Sequence, residues 1–215
     1  MEKFLRDATE FLPILLQGVG LTILVTLGSL VLSTLLGLLW ALLRVSGIRA
    51  LNGVSAGLIN LIRGIPIIVL LFYLYFVMPD FGITLTALQA AILGLGIAYS
   101  AYQAENFRAG IEAIDRGQVE AAQAIGMGWG LTMRRVILPQ AIRIVLPPYG
   151  NIMIMLLKDS SQASTITVAE LALQGKLIAS STFKNTSVFT LVALMYLIMS
   201  IPLILLVRHF EKRAK

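Results

Sequence analysis

The sequence predicts an all-α membrane protein with five transmembrane helices, and three observations lead to this fold class. Hydrophobic residues make up 58% of the 215 residues and charged residues only 13%, whereas an ordinary soluble domain carries about 25% charged residues. The mean hydropathy is +0.88. A helix needs about 20 apolar residues to cross a hydrocarbon core about 30 Å thick. Uncharged runs that approach or exceed this length cover residues 11–43, 64–79, 81–104, 144–157 and 185–207.

The five runs differ in length and therefore in how clearly each one predicts a span. The first run is far longer than the apolar core of about 7–15 residues found in a signal peptide. The N-terminus is therefore expected to be mature, with residues 3–15 forming a short helix along the membrane surface. The second and fourth runs are short for a crossing, and the fourth is expected to extend into Lys158 and Asp159. All five spans are assigned to a single domain, residues 1–215.

The distribution of basic residues predicts the orientation of the chain. Cytoplasmic loops close to transmembrane helices collect Lys and Arg. Of the 17 basic residues, 12 lie after the first run, after the third run or in the C-terminal tail, which would share one side. The N-terminus is therefore predicted to lie outside and the C-terminus inside, as an odd number of spans requires. The net charge of +6 follows from this bias and does not indicate nucleic-acid binding.

Residue types that the sequence lacks exclude several kinds of chemistry. There is no cysteine, so the chain has no disulfide and no thiolate metal site. The single histidine, His209, cannot form a histidine metal cluster or a Ser-His-Asp triad. The phosphate-binding pattern G-x-x-x-x-G-K-[ST] is also missing, because Gly175-Lys176 is followed by Leu177. We therefore expect no catalytic residue, metal or cofactor on this chain.

The longest polar segment between two apolar runs covers residues 112–139. Within it, residues 118–125 (QVEAAQAI) favour a helix. The small side chains of Ala121 and Ala122, beside Glu120, would let a second backbone approach closely. This composition suits a helix that sits in the groove of a partner protein.

The glycines that follow are expected to break this helix and to allow turns with positive φ. They are Gly126, Gly128 and Gly130. Between them, Met127 and Trp129 offer apolar side chains of the kind that anchor an interface, although they could instead anchor the loop at the lipid headgroups. A second helix is expected to start at Leu131 and to end at Leu138-Pro139, because proline restricts the residue before it.

The spacing of these residues resembles the EAA loop found in inner-membrane permease subunits of binding-protein-dependent ABC importers. The matching positions are Glu120-Ala121-Ala122, Gly126, Val136 and Leu138-Pro139. In that family the loop forms a short helix that plugs into a cleft on a separate ATPase subunit. The resemblance implies that an ATPase-coupling surface includes Glu120, Ala121, Ala122, Gly126, Met127 and Trp129. The alternative is an ordinary interfacial helix between two spans.

Three further segments resemble the polar amino-acid permeases of this family, of the histidine, glutamine and arginine type. Arg63-Gly64-Ile65-Pro66 looks like the RGTP segment that opens the second span, although Ile65 replaces the family Thr and removes its hydroxyl. Residues 99–111 (YSAYQAENFRAGI) look like the run before the EAA loop. Residues 158–161 (KDSS), followed by Glu170-Leu171, look like the K-[DN]-[ST]-S…E-L segment. The resemblance covers about residues 15–205.

The resemblance implies a transport subunit that works by alternating access in the bacterial inner membrane. It implies a second permease subunit, either identical or a close relative. It also implies two ATPase subunits, which would hold ATP and Mg²⁺, and an extracytoplasmic substrate-binding protein. The expected substrate is an amino acid, with arginine, lysine, histidine or glutamine as candidates.

Two acidic residues near the ends of spans are candidates for substrate binding, because ionisable residues inside a membrane are often functional. They are Glu105 and Asp159. Polar neighbours complete the predicted site, and they are Tyr99, Tyr102, Gln103, Asn106, Ser160 and Ser161. The ammonium of an amino acid needs acceptors and its carboxylate needs donors, and these segments supply both.

Other interpretations stay open at this point. Glu105 and Arg108 are three residues apart and could neutralise each other, and Lys158 could lie at the headgroups with Asp159 beside it. If both acids face the pathway, a cationic amino acid is favoured. A stand-alone carrier or channel is the alternative function, but the sequence contains no internal repeat. A membrane enzyme would need a nucleophile that Glu105 and Asp159 do not provide.

Overall fold

The computed structural model describes residues 2–214, which form nine α-helices and no strand. The predicted all-α class is therefore confirmed. Short turns of π- or 3₁₀-helix extend several of the helices. In chain order the helices are α1 (Glu2–Arg44), α2 (Arg49–Gly64), α3 (Ile67–Phe72), α4 (Ala87–Glu112), α5 (Arg116–Ala124), α6 (Trp129–Thr132), α7 (Leu138–Asp159), α8 (Leu171–Thr182) and α9 (Asn185–Ala214).

Helix α1 is one continuous helix of 43 residues, about 65 Å long at about 1.5 Å per residue. Residues 3–15 are therefore not a separate surface helix, and that expectation is wrong. The Asp7 carboxylate holds the first turns against the start of α9, because it accepts hydrogen bonds of 2.7 Å from Lys184 and 2.7 Å from Ser187. The hydrogen bond with Asp7 raises the pKa of the Lys184 ammonium.

The second apolar run, residues 64–79, is broken at its start and is helical from Ile67 onward. Helix α3 passes into a π-turn (Tyr73–Val77) and a 3₁₀-turn (Met78–Phe81), and α2 precedes it at an angle of 96°. Ile65, between the two helices, is extended, with φ −101° and ψ 128°. Pro66 explains this break, because the residue before a proline is disfavoured in the helical conformation.

Three helical stretches are long and apolar enough to cross a membrane within residues 2–214: Glu2–Arg44, Trp129–Ile166 and Asn185–Lys212. The bent pair Arg49–Gly64 and Ile67–Phe81 makes a fourth if it forms one span. Helix α4 has 26 residues, about 39 Å at about 1.5 Å per residue, but it is not among the most apolar helices. The count of five spans and the orientation therefore stay predictions.

Helix α4 occupies the centre of the bundle, which explains its many small and polar residues. It packs against α1, α2, α3 and α7, and 13 of its 26 residues are buried. The main hydrophobic core forms where α1, α3, α4 and α7 meet, around Val25, Leu71, Leu95, Tyr99 and Leu156. Because neighbouring helices cover half of the α4 residues, those side chains do not need the hydropathy of a lipid-facing span.

The stretch that begins with α6 is nearly one long helix. A π-turn (Met133–Ile137) joins α6 to α7, and Pro139 lies in the first turn of α7. The expected helix end at Leu138-Pro139 is therefore wrong. The π-turn ends at Ile137, just before Pro139, and such local changes of helix type re-satisfy the backbone groups that a proline leaves free. At its other end α7 extends to Asp159, as predicted from the short fourth run.

After Asp159 the chain does not leave the bundle. Residues 160–170, which we call the buried link, contain a 3₁₀-turn (Ser160–Ile166) that ends at Thr167 with φ 69°. Most of the link is buried, including Ala163, Ile166 and Val168. It packs against α1, α3, α4, α7 and α8, and it leads into α8, a helix that the uncharged runs did not predict.

Candidate functional site

The structure joins two of the predicted site residues directly. Tyr99 of α4 donates a hydrogen bond of 2.6 Å from its hydroxyl to Oδ2 of Asp159, the last residue of α7. The Tyr99 ring is fully buried in the main core, whereas Asp159 is half-buried. Packing of α4 on α7 therefore fixes the position of one carboxylate oxygen and leaves part of the group accessible.

Two serines follow Asp159, where α7 passes directly into the 3₁₀-turn Ser160–Ile166. Ser160 donates a hydrogen bond of 2.8 Å to the Leu157 carbonyl, and Ser161 donates one of 2.7 Å to the Lys158 carbonyl. Both predicted serines thus cap their own helix, which keeps this end of α7 stable beside the Asp159 carboxylate.

No ion pair to Asp159 occurs in the part of the chain that the structure describes. Its neighbour Lys158 is exposed and makes no such contact. Within the described residues, the Asp159 carboxylate is therefore an anionic group without an ion-pair partner. This arrangement suits an ammonium or guanidinium group, which prefers a charged acceptor with good hydrogen-bond geometry.

Glu105 lies elsewhere on α4 and is already neutralised. Arg108 donates to Glu105 Oε2 from Nη2 at 2.6 Å and from Nε at 3.1 Å. Arg108 also pairs with Glu112, one turn further along α4. The interpretation that Glu105 and Arg108 balance each other therefore describes the structure.

The remaining predicted polar residues of α4 divide between its buried and exposed faces. Asn106 donates a weak hydrogen bond of 3.4 Å to Gln103, whose side chain is completely buried. The Tyr102 ring is 41% exposed. It lies 5.9 Å from the Tyr99 ring and 5.5 Å from the Arg63 guanidinium. Tyr102 thus extends the Tyr99 side of the site towards an arginine.

No group of metal-ligating side chains occurs among residues 2–214. An apolar crevice of about 240 Å³ lies between α1, α4 and α7, with Phe107 and Tyr149 in its wall. None of the predicted substrate residues lines it. The crevice therefore does not belong to the Asp159 site.

The predicted helix at residues 118–125 is present as α5, which begins after Asp115 caps it through a 2.7 Å hydrogen bond from the Gly117 N–H. Gln118 is joined to Gln140 of α7 by a hydrogen bond of 2.6 Å, so α5 is connected to a membrane helix. Glu120 and Ala121 are exposed, whereas Ala122 is only 5% exposed. Ala122 faces its own chain, which separates it from the exposed residues of the predicted coupling surface.

The turn after α5 presents apolar side chains to the solvent. Gly126 has φ 81° and makes the turn, whereas Gly128 and Gly130 belong to the start of α6 and do not break a helix with positive φ. Trp129 is 66% exposed, and Met127 is half-buried. Ile125 is 79% exposed, although no role was predicted for it. Its position directly before Gly126 is the sequence signal that could have identified it as an exposed turn residue.

Comparison with known proteins identifies the family. Residues 33–215 match the family model described as "Binding-protein-dependent transport system inner membrane component". The chain belongs to this family. It is therefore a component of an inner-membrane transport system, and the resemblance inferred from the EAA pattern is confirmed.

Relatives agree with this assignment along most of the chain. The probable amino-acid ABC transporter permease protein YckA of Bacillus subtilis (strain 168) is 40% identical over 189 residues, covering 88% of this chain and 84% of the relative. The probable glutamine ABC transporter permease protein GlnM of the same organism is 37% identical over 198 residues, covering 92% of each chain. A solved structure described as "Crystal structure of an amino acid ABC transporter with histidines" has a TM-score of 0.90 at 36% identity and covers 96% of this chain and 97% of that chain.

Glu170 is a buried acid for which the sequence predicted no role, although it belongs to the segment that resembles K-[DN]-[ST]-S…E-L. Its side chain is fully buried and caps the N-terminus of α8 by accepting hydrogen bonds of 2.9 Å from both the Ala172 and Leu173 N–H groups. The signal available in the sequence was an acid directly before an apolar helix-forming run. The usual capping residues are shorter, namely Ser, Thr, Asp and Asn, so this signal was weak.

Proposed function

We propose that this inner-membrane component is the permease subunit of an ATP-driven amino-acid importer, with Asp159 in the substrate pathway. The observation that carries the proposal is the half-buried Asp159 carboxylate, held by Tyr99 at 2.6 Å. An amino acid always presents an ammonium group, and a carboxylate without a protein cation is a suitable acceptor for it. The relatives described as amino-acid transport proteins support this substrate class.

The substrate we propose is a polar amino acid, either cationic (arginine, lysine or histidine) or glutamine. Of the two candidate acids, only Asp159 is free of an ion pair with the residues that the structure describes. One carboxylate can accept the ammonium that every amino acid carries, so it selects a cationic side chain less strongly than two would. GlnM, a probable glutamine permease, and the solved amino acid ABC transporter with histidines fit this range.

We further propose that energy comes from separate ATPase subunits that bind α5 and the turn after it. Ile125 and Trp129 are large apolar side chains left exposed on this turn, and such residues commonly anchor protein interfaces. The hydrogen bond that Gln140 donates to Gln118 would transmit movement of α5 to α7. Asp159 lies at the other end of α7. A second permease copy or relative and an extracytoplasmic binding protein complete the proposed complex.

The decisive experiment uses the complex purified with its ATPase and reconstituted in lipid vesicles. ATP hydrolysis and uptake are measured with each of the twenty amino acids, for the unmodified chain and for Asp159→Asn. We expect the half-stimulating concentration to rise about tenfold or more in Asp159→Asn, because a hydrogen bond to a charged group contributes about 1.5–3 kcal/mol. Asp80→Asn, which alters an exposed carboxylate, is the matched control.

Two results would contradict the proposal. An unchanged substrate dependence in Asp159→Asn would remove Asp159 from the pathway. Uptake by vesicles that contain this chain without any ATPase would favour the alternative, a stand-alone carrier or channel.

A further inference from the structure

A buried polar cluster connects the start of α8 with α1 and α9. Besides capping α8, Glu170 Oε2 accepts a hydrogen bond of 2.7 Å from the Tyr196 hydroxyl of α9. The adjacent Leu171 N–H donates to the Thr22 hydroxyl of α1 at 3.1 Å. Glu170 and the adjacent Leu171 N–H thus join the start of α8 to α1 and α9.

This cluster lies well inside the bundle. Thr22 is in the first uncharged run, more than ten residues from its nearest charged neighbour on the outer side, and Glu170, Leu171 and Thr22 are all fully buried. A buried carboxylate is costly unless it is hydrogen-bonded, and Glu170 has donors from three groups. Because its carboxylate is buried and accepts three hydrogen bonds, Glu170 holds the groups around it in a fixed geometry.

Glu170 controls one end of the buried link, and Asp159 lies directly before the other end. Between them the link consists mainly of the short 3₁₀-turn Ser160–Ile166, which ends before Thr167, and not of a long α-helix. A second contact comes from α8, where Lys176 Nζ donates to the Ser164 hydroxyl at 3.1 Å. The position of the link, and with it the end of α7, therefore depends on how α8 is held.

We infer that Glu170 is a positioning residue for the Asp159 site, acting through Tyr196 and the buried link. The inference rests on the proposed function, in which Asp159 binds the substrate. Glu170 itself makes no contact with the pathway. It holds the start of α8 against α1 and α9, and this fixes Ser160 and the carboxylate orientation of Asp159 beside Tyr99.

Tyr196→Phe tests the inference, because it removes the hydroxyl contact to Glu170 and leaves the cap of α8 intact. The absence of cysteine in this sequence allows a direct probe of the link. A single Gln162→Cys substitution in the link is labelled with a maleimide in the complete complex with its ATPase. We expect labelling to become severalfold faster when Tyr196→Phe is added. Tyr149→Phe, which removes another half-buried hydroxyl, bonded to Thr34 at 2.9 Å, is the matched control.

The second measurement is the concentration of arginine, histidine or glutamine that half-stimulates ATP hydrolysis, in the chain without the cysteine. We expect Tyr196→Phe and Glu170→Gln to raise it about tenfold while the maximal rate stays within twofold. Glu170→Asp, which keeps a carboxylate and is a good helix cap, should restore much of the loss. A purely structural role would lower the amount of complex or the maximal rate instead.

The outcomes separate this inference from the proposed function. If Asp159→Asn raises the half-stimulating concentration but Tyr196→Phe changes neither that concentration nor the labelling rate, the positioning role of Glu170 is refuted. If labelling accelerates in Tyr196→Phe but Asp159→Asn leaves the substrate dependence unchanged, the proposed role of Asp159 fails, although Glu170 still holds the link. Equal acceleration in Tyr149→Phe would mean that the effect is not specific and would also refute the inference.

Discussion

Gly18 of α1 is the point at which a single methyl group should disturb the start of α8. A Cβ atom on Gly18 would lie 2.8 Å from both the Cα and the N of Leu171, and 2.9 Å from the carbonyl carbon of Glu170. These atoms belong to the backbone, so no side chain can turn aside to make room. On the same helix, a Cβ on Gly20 would meet nothing within 4 Å, which makes Gly20→Ala the matched control.

The expected effect follows from two opposing contributions. Alanine in place of glycine favours a helix by about 1 kcal/mol, and this gain applies to both positions. Overpacking a closely packed site costs about 1–3 kcal/mol, and this cost applies to Gly18 alone. The two variants should therefore differ in the free energy of unfolding by about 1–3 kcal/mol, with Gly18→Ala the less stable.

Thermal unfolding of the two purified variants measures this difference. A chain of this size changes its midpoint by about 2–4 °C per kcal/mol, so the midpoints should differ by about 2–12 °C. Gly20→Ala should match or exceed the unmodified chain. Equal midpoints for Gly18→Ala and Gly20→Ala would refute the close backbone contact between α1 and the start of α8.

Three further predictions concern the turn after α5 and the ion pair of α4. Trp129→Ala should leave the unfolding midpoint almost unchanged, because exposed substitutions alter stability by about 0.5 kcal/mol or less, but it should lower the amount of ATPase that co-purifies; an unchanged subunit ratio would contradict a docking role. Gly126→Val should destabilise the turn more than Gly126→Asn, because φ is 81° there and β-branched residues disfavour positive φ; equal midpoints would contradict the turn geometry. Glu105→Gln should change the half-stimulating substrate concentration by less than twofold, because Arg108 keeps its contact with Glu112; a rise of tenfold would return Glu105 to the pathway.

The sequence predicted those elements whose signal is local. Uncharged runs located most of α1, α4, α7 and α9, since charged residues are rare inside transmembrane segments. The helix-forming residues before Gly126 located α5. In contrast, α2 and α8 are short and mix polar with apolar residues, so a search for apolar runs could not find them. Their positions depend on packing against α1 and α4 or α9.

The sequence predicted residues of the candidate site but not which of them contact each other. Tyr99 and Asp159 were both selected, yet they are 60 positions apart in sequence, and no local pattern indicates that they share a hydrogen bond. The sequence placed Tyr99 with Glu105 because they are close along one helix. In the structure, Glu105 forms an ion pair with Arg108. The packing of α4 on α7 instead brings the Tyr99 hydroxyl to the other acid, Asp159.

The short fourth run illustrates why length alone misleads inside a membrane. Fourteen uncharged residues are too few for a crossing of about 20 residues, and the simplest extension places Asp159 at the headgroups. In the structure the chain instead remains buried after Asp159, as the link to α8. Irregular backbone is tolerated at membrane depth only when protein surrounds it or a water-filled cavity borders it. Protein covers the link on the sides of α1, α4 and α8, and hydroxyl groups and Glu170 satisfy its polar ends. Binding of a cationic group would give a physical reason for a half-buried carboxylate at such a break.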